Sequence, residues 1–142
     1  MDYFLDNEKP IPDGWIPVLG RVAAGIPIEA IEDVVDMEQL APGTDPTFEY
    51  RGLVIHGDSM EPRMKEGDVV IVRIQDQIED GDTAVVFVNG DEATCKKIKI
   101  TPEGVFLISN NPAYEPIFLS RHELERNPLR VFGKVVELRA KF

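Results

Sequence analysis

From Trp15 onward the chain is written in short apolar runs separated by turn residues: "WIPVLGRVA", "FEYRGLVIHG", "DVVIVRI", "DTAVVFVNGDEATCKKIKI", "GVFLISN" and "RVFGKVVELRAKF". Val, Ile and Phe dominate these runs, and turns recur about every 8–12 residues, the pattern of an all-β domain. Asn89-Gly90-Asp91 is the strongest hairpin turn, because Asn-Gly supplies the positive φ angles of a tight connection. Two stretches are helical candidates. "EAIEDVVDMEQL" places Ile31, Val34, Val35 and Leu40 loosely on a 3.6-residue period, and in "SRHELERN" Ser120 is positioned to cap a short turn. The expected fold is therefore mostly β with little helix, carried by residues 15–142. Residues 1–14 close on "NEKPIPDG", whose prolines and Asp-Gly pair deny regular structure, and they read as a linker or tail. There is no internal repeat and no low-complexity tract.

A chain of 142 residues, 43% hydrophobic, suits one domain with a single sizeable core. Its formal net charge of -11 repels a phosphate backbone, which argues against DNA binding by this chain itself. A single cysteine, Cys95, excludes an internal disulfide and favours a reducing, cytoplasmic setting. No stretch approaches the roughly 20 apolar residues of a membrane span, and "MDYFLDNEKP" lacks the regions of a signal peptide, so no membrane role is expected.

The stretch with chemical potential is "HGDSM", where Ser59 stands between two apolar runs. A turn serine needs no chemistry, whereas a nucleophilic serine needs a base. A local triad of His56, Asp58 and Ser59 is disfavoured, because neighbours along one strand and turn rarely converge. Cys95 with His56 or His122 is weaker still: a lone cysteine between Thr94 and Lys96 in a strand reads as a small packed hydrophobe. The acidic stretch Glu29 to Glu38 has no matching His or Cys cluster, so no metal and no cofactor is expected.

The remaining base is a lysine in "EATCKKIKI". Alternation puts Thr94, Lys96, Ile98 and Ile100 on one strand face, and Cys95, Lys97, Lys99 and Thr101 on the other. Lys96 thus shares the apolar face, while Lys97 and Lys99 face water. At an ordinary pKa near 10.4, roughly one lysine in 2,500 carries a free amine at neutral pH, and burial lowers that pKa. A lysine that snorkels its head to water is the competing reading, and alternation alone does not choose between them.

Several blocks together resemble one family, the self-cleaving LexA-like peptidases, which include LexA, the lambda-type phage repressors and UmuD. They are "PVLGRVAAGIPIEA", "HGDSMEPRMKEGDVVIV", "GDTAVVFVNGDEATCKKIKI", "NNPAYEPI" and "VFGKVVELR", in that order over residues 16–142. The resemblance implies a fold of short, strongly twisted sheets, Ser59 as nucleophile and Lys96 as general base, with Thr94 helping to hold the amine. It implies that the bond between Ala24 and Gly25 is the one cut, and that the backbone N–H groups of Ser59 and Met60 form the oxyanion hole. Ala23, Ala24 and Gly25 have side chains small enough for close approach to a nucleophile. "GRVAAG" is no phosphate loop, since the Gly-Lys-Ser/Thr ending is missing.

By the same resemblance the chain is expected to be a homodimer activated by RecA filaments after DNA damage. It would contact DNA only through a missing N-terminal domain, of which residues 1–14 would be a remnant. Its expected role is the autoproteolytic and dimerisation domain of a LexA-like repressor in the SOS response. A UmuD-like accessory subunit of a translesion polymerase and a catalytically silent dimerisation module are the competing roles. Dimerisation is expected through "VFGKVVELRAKF", read as an apolar edge strand.

Overall fold

The structure is a computed structural model, and it describes residues 14–22, 33–88 and 93–142. Among the described residues there are nine strands, β1 Trp15–Leu19, β2 Val34–Gln39, β3 Tyr50–Val54, β4 Val69–Ile74, β5 Thr83–Phe87, β6 Ala93–Thr101, β7 Gly104–Ile108, β8 Ile117–Ser120 and β9 Arg130–Arg139, and one short helix, α1 (Arg121–Arg126), between β8 and β9. The strands form one mixed sheet in the order β2-β1-β3-β4-β9-β5-β6-β7-β8. Only β1 and β3 run parallel; every other pair is antiparallel. Each of the six apolar runs read from the sequence contains at least one of these strands. The fold is mostly β, as expected.

The long strand β9 joins the two halves of the sheet. Its residues from Gly133 to Arg139 pair with β4, and those from Arg130 to Lys134 pair with β5. The register shifts on both sides, between Ile71 and Val72 and between Val85 and Val86. Such irregularities bend and twist a sheet locally, so its two faces can each cover a core. The expectation that the C-terminal run is an edge strand is corrected: it lies inside the sheet, and the edges are β2 and β8. An apolar run signals burial, and burial between two strands satisfies it as well as a free edge does.

Strands buried on both faces follow from the same geometry. In β4, Val70 and Val72 enter one core cluster with Leu19, Leu53, Met60 and Cys95, while Val69 and Ile71 enter a second with Ile16, Val18 and Tyr50. A third cluster holds Ala84, Val86, Ile98 and Leu107. The "VVIV" run is therefore continuous in hydrophobicity, with no alternation.

The helical expectation for "EAIEDVVDMEQL" is also corrected, since its described part from Val34 is strand β2, paired with β1 from Trp15↔Gln39 to Leu19↔Val34. A short segment with adjacent β-branched valines is a poor helix nucleus, and a neighbouring strand offers its backbone partners at once. The second candidate is a helix. Ser120 accepts from the Glu123 N–H, and the Glu123 carboxylate reaches back to the Ser120 N–H, a reciprocal cap around α1. Strand β8 escaped the sequence reading because "IFLS" is short and half exposed. The hairpin turn at Asn89-Gly90-Asp91, residues 1–13 and the Ala24–Gly25 bond lie outside the described residues. Among the described residues no helix is long and apolar enough to cross a membrane.

Candidate active site

Ser59 is held at the end of the β3 run. Beyond Val54 the pairing with the β4 side continues through Ile55, whose N–H donates to the Asp68 carbonyl (2.8 Å) and whose carbonyl accepts from Gly67 N–H (2.9 Å). The chain then turns at Gly57, where φ is +78°, a conformation glycine adopts without steric cost. From Asp58 to Met64 it coils tightly: Glu61 N–H donates to Asp58 O (3.1 Å) and Met64 N–H to Met60 O (2.9 Å). Met60 and Met64 are buried in the first core cluster, which anchors the coil from below and leaves Ser59 half-buried at its start.

Lys96 comes from β6, on the other half of the sheet. Its Nζ lies 3.1 Å from Ser59 Oγ, 3.1 Å from Thr94 Oγ1 and 3.2 Å from the Cys95 carbonyl. The residue is 7% exposed, while Lys97 and Lys99 on the opposite face are both exposed. Directly across the ladder stands Ala84, fully buried, whose methyl group leaves room for the long stem. Among the described residues no carboxylate forms an ion pair with Lys96. Burial pushes its amine below the ordinary value and outweighs the opposing effect of the neighbouring Cys95.

In its neutral form the amine can share these three contacts between its donors and its lone pair. Its two N–H groups can serve Thr94 Oγ1 and the Cys95 carbonyl, leaving the lone pair to accept the Ser59 hydroxyl proton. An ammonium here would be a buried charge without an ionic partner, which is the costly state. The alternation reading of β6 thus holds for Lys96, Lys97, Ile98 and Lys99. It fails at Ile100, 44% exposed near the strand end, and at Cys95, buried where the lysine-bearing face was expected to be wet. Cys95 packs its sulfur 3.8 Å from Met64 Sδ, and burial pushes its thiol up to about 12. It is a packed hydrophobe, with no nucleophilic thiolate.

The local triad of His56, Asp58 and Ser59 is not assembled, and neither is a pairing of Cys95 with a histidine. His56 Nε2 is bonded to the Gly20 carbonyl (2.5 Å), and the Asp58 carboxylate takes the Tyr114 hydroxyl, so neither serves Ser59 as base or orienter. His122 stands exposed on α1. Among the described residues no cluster suited to a metal ion exists.

Two features were not legible in the sequence. Val22 accepts from the Ala93 N–H (2.7 Å) and is buried, and one cleft is lined by Val22, His56, Ser59 and Thr94. Val22 therefore stands in the same cleft as Ser59. The loop after β7 also clamps the serine turn: Asn111 N–H donates to Ser59 O (2.9 Å), and Asn111 Nδ2 donates to Asp58 O (3.1 Å). "NNPAYEPI" stood out as a block, but nothing in its composition says which turn it grips.

A half-buried serine in hydrogen-bond reach of a buried lysine, on a mixed β fold, defines a candidate Ser-Lys peptidase site. The chain matches the Peptidase S24-like family over residues 17–136 and belongs to that family. It is similar to LexA repressor 2 of Nocardia farcinica, 37% identical over 134 residues that cover 92% of this chain and 51% of that protein. It is 38% identical to the LexA repressor of Bifidobacterium adolescentis over 84% of this chain and 47% of that protein. It is 38% identical to the LexA repressor of Carboxydothermus hydrogenoformans over 89% of this chain and 60% of that protein. The chain thus spans about half the length of the first of these curated relatives.

Proposed function

We infer that this chain is the autoproteolytic domain of a LexA-like repressor, cutting its own bond between Ala24 and Gly25. The observation that carries this reading is the 3.1 Å contact between Lys96 Nζ and Ser59 Oγ, made by an amine that burial keeps toward its neutral form. Lys96 takes the Ser59 proton as the oxygen attacks the Ala24 carbonyl carbon. The oxyanion is received by the N–H groups of Ser59 and Met60, for which no acceptor is found among the described residues. As the tetrahedral adduct collapses, the Ala24–Gly25 bond breaks and Lys96 returns the proton to the leaving Gly25 nitrogen. Water, deprotonated by the same amine, then releases the acyl group from Ser59.

The anchoring of Val22 on β6 supports delivery of the bond, since the two residues from Val22 to Ala24 span at most about 7 Å. Tethering makes the reaction unimolecular, so its rate follows how often the segment is seated. Homodimer formation, activation by a RecA filament and an upstream DNA-binding domain belong to the same proposal, and the similarity to LexA repressors supports them.

The test is incubation of the purified chain over a pH series. Self-cleavage is expected to accelerate as pH rises through the lowered Lys96 pKa, giving fragments of 24 and 118 residues, which mass spectrometry reads directly. Ser59→Ala and Lys96→Ala are expected to be inert, and Lys97→Ala to cut like the parent. A parent chain left intact at alkaline pH would overturn the proposal, as would cutting that survives Ser59→Ala.

A further inference from the structure

The clamp on the serine turn has a geometric consequence for the two N–H groups assigned above to the oxyanion. A trans peptide is planar, with its C=O and N–H pointing in opposite directions. The Asp58 carbonyl shares a peptide unit with the Ser59 N–H, and the Ser59 carbonyl shares one with the Met60 N–H. Asn111 grips both carbonyls, Asp58 O through Nδ2 at 3.1 Å and Ser59 O through its own N–H at 2.9 Å. Asn111 is itself fixed, because Oδ1 accepts from Ala113 N–H (2.9 Å) and its carbonyl from Tyr114 N–H (3.1 Å). That first bond also sets which end of the amide is the donor. Tyr114 makes a separate link, from its hydroxyl to the Asp58 carboxylate, which touches neither peptide unit.

We propose that Asn111 is the positioning residue of the oxyanion hole: by holding the Asp58 and Ser59 carbonyls on its own side, it turns the Ser59 and Met60 N–H groups to the opposite side, toward the scissile carbonyl. The proposal rests on the peptidase reading given above. Without the side-chain bond the Asp58 carbonyl keeps only the Glu61 N–H (3.1 Å) as a donor, so the first peptide unit is less firmly held, and an oxyanion donor is misaimed part of the time in the transition state without any change at Ser59 Oγ or Lys96 Nζ. A donor lost from such a hole costs about 10²–10³ in rate, so a donor misaimed part of the time should cost at least about tenfold.

Self-cleavage rates are compared over a pH series for the parent chain, Asn111→Asp and Tyr114→Phe. Asn111→Asp preserves shape and the bond to Ala113 while removing the Nδ2 donor. Its plateau rate is expected to fall at least about tenfold, while the added carboxylate moves the midpoint, if at all, upward by favouring the Lys96 ammonium; Tyr114→Phe is expected to lose less than about threefold. A merely structural clamp would slow both variants alike, and that result overturns the proposal. An Asn111→Asp rate within about threefold of the parent overturns it too, and so does a shifted midpoint with an intact plateau. In either case a parent chain that still cuts leaves the peptidase reading standing. A parent chain that does not cut overturns both. A second measurement needs no variant: the parent is treated with a small alkyl phosphonofluoridate and its crystal structure solved. The phosphonyl oxygen on Ser59 is expected about 3 Å from the Ser59 and Met60 nitrogens, with both Asn111 bonds kept. An oxygen bound elsewhere, or a clamp that opens, overturns the proposal.

Discussion

At position 96 a lysine stands on an apolar strand face opposite Ala84, with two hydroxyls and a carbonyl as its only polar company among the described residues. Taking the charge out of water is costly, so burial lowers the pKa of this amine. That lowering is measurable as stability. Because the folded-state pKa lies below the unfolded value near 10.5, the charge penalty is fully present below the folded pKa. It fades as pH rises toward the unfolded value, where neither state binds the proton. Between those two pKa values the unfolded chain holds more protons, so the stability of the parent should climb with pH. Lys96→Met fills a similar volume and has no such term. Urea unfolding of both chains from pH 7 to pH 10 should show the parent gaining on the variant; parallel curves would mean that Lys96 stays protonated in the folded state.

Strand β9 shows how little tolerance the centre of the sheet has. Gly133 pairs with Ile74 on one side and Val85 on the other, at the point where β9 passes from one partner to the next. A Cβ built there would lie 2.2 Å from the Arg73 carbonyl oxygen and 2.6 Å from Val72 Cγ1. The first is backbone in the ladder itself and cannot swing aside. Gly133→Ala is therefore expected to destabilise the domain by about 1–3 kcal/mol or more, read as a lowered urea midpoint. A shift of under about 0.5 kcal/mol would show that β4 and β9 separate easily here, against the close approach described. The same element explains a misreading: an apolar C-terminal run announces burial, and only its pairing on both sides shows that it is a bridge and not an edge.

Across the whole molecule, Asp68 ties the serine-bearing half of the sheet to the end of the chain. It is buried at 4% exposure, and its carboxylate accepts from the backbone N–H groups of Lys65 (2.9 Å) and Lys141 (3.0 Å) while its own carbonyl takes Ile55 N–H. The two donors, Lys141 first, hold the carboxyl below its ordinary value of 3.8. A depressed pKa contributes stability that is present above 3.8 and lost as pH falls through the folded value. Asp68→Asn turns an amide donor toward one of those N–H groups, so it should lower the thermal midpoint at pH 7. That deficit should shrink as pH is taken below about 4, because the parent carboxyl then protonates and loses the same interaction. A deficit that is constant with pH would show that the carboxylate charge is not what holds the chain end.

The sequence by itself determined the β class, six of the strand-bearing runs, the capped turn at Ser120 and the choice of Lys96 over Lys97, because period-2 alternation and turn chemistry are local properties. Family resemblance added the pairing of Ser59 with Lys96. Only the tertiary structure decided that Val34–Gln39 is a strand, that β9 lies inside the sheet and that Asn111 grips the serine turn. Each of these is set by a partner remote along the chain, and a backbone group or side chain carries no local mark of which distant atom will satisfy it.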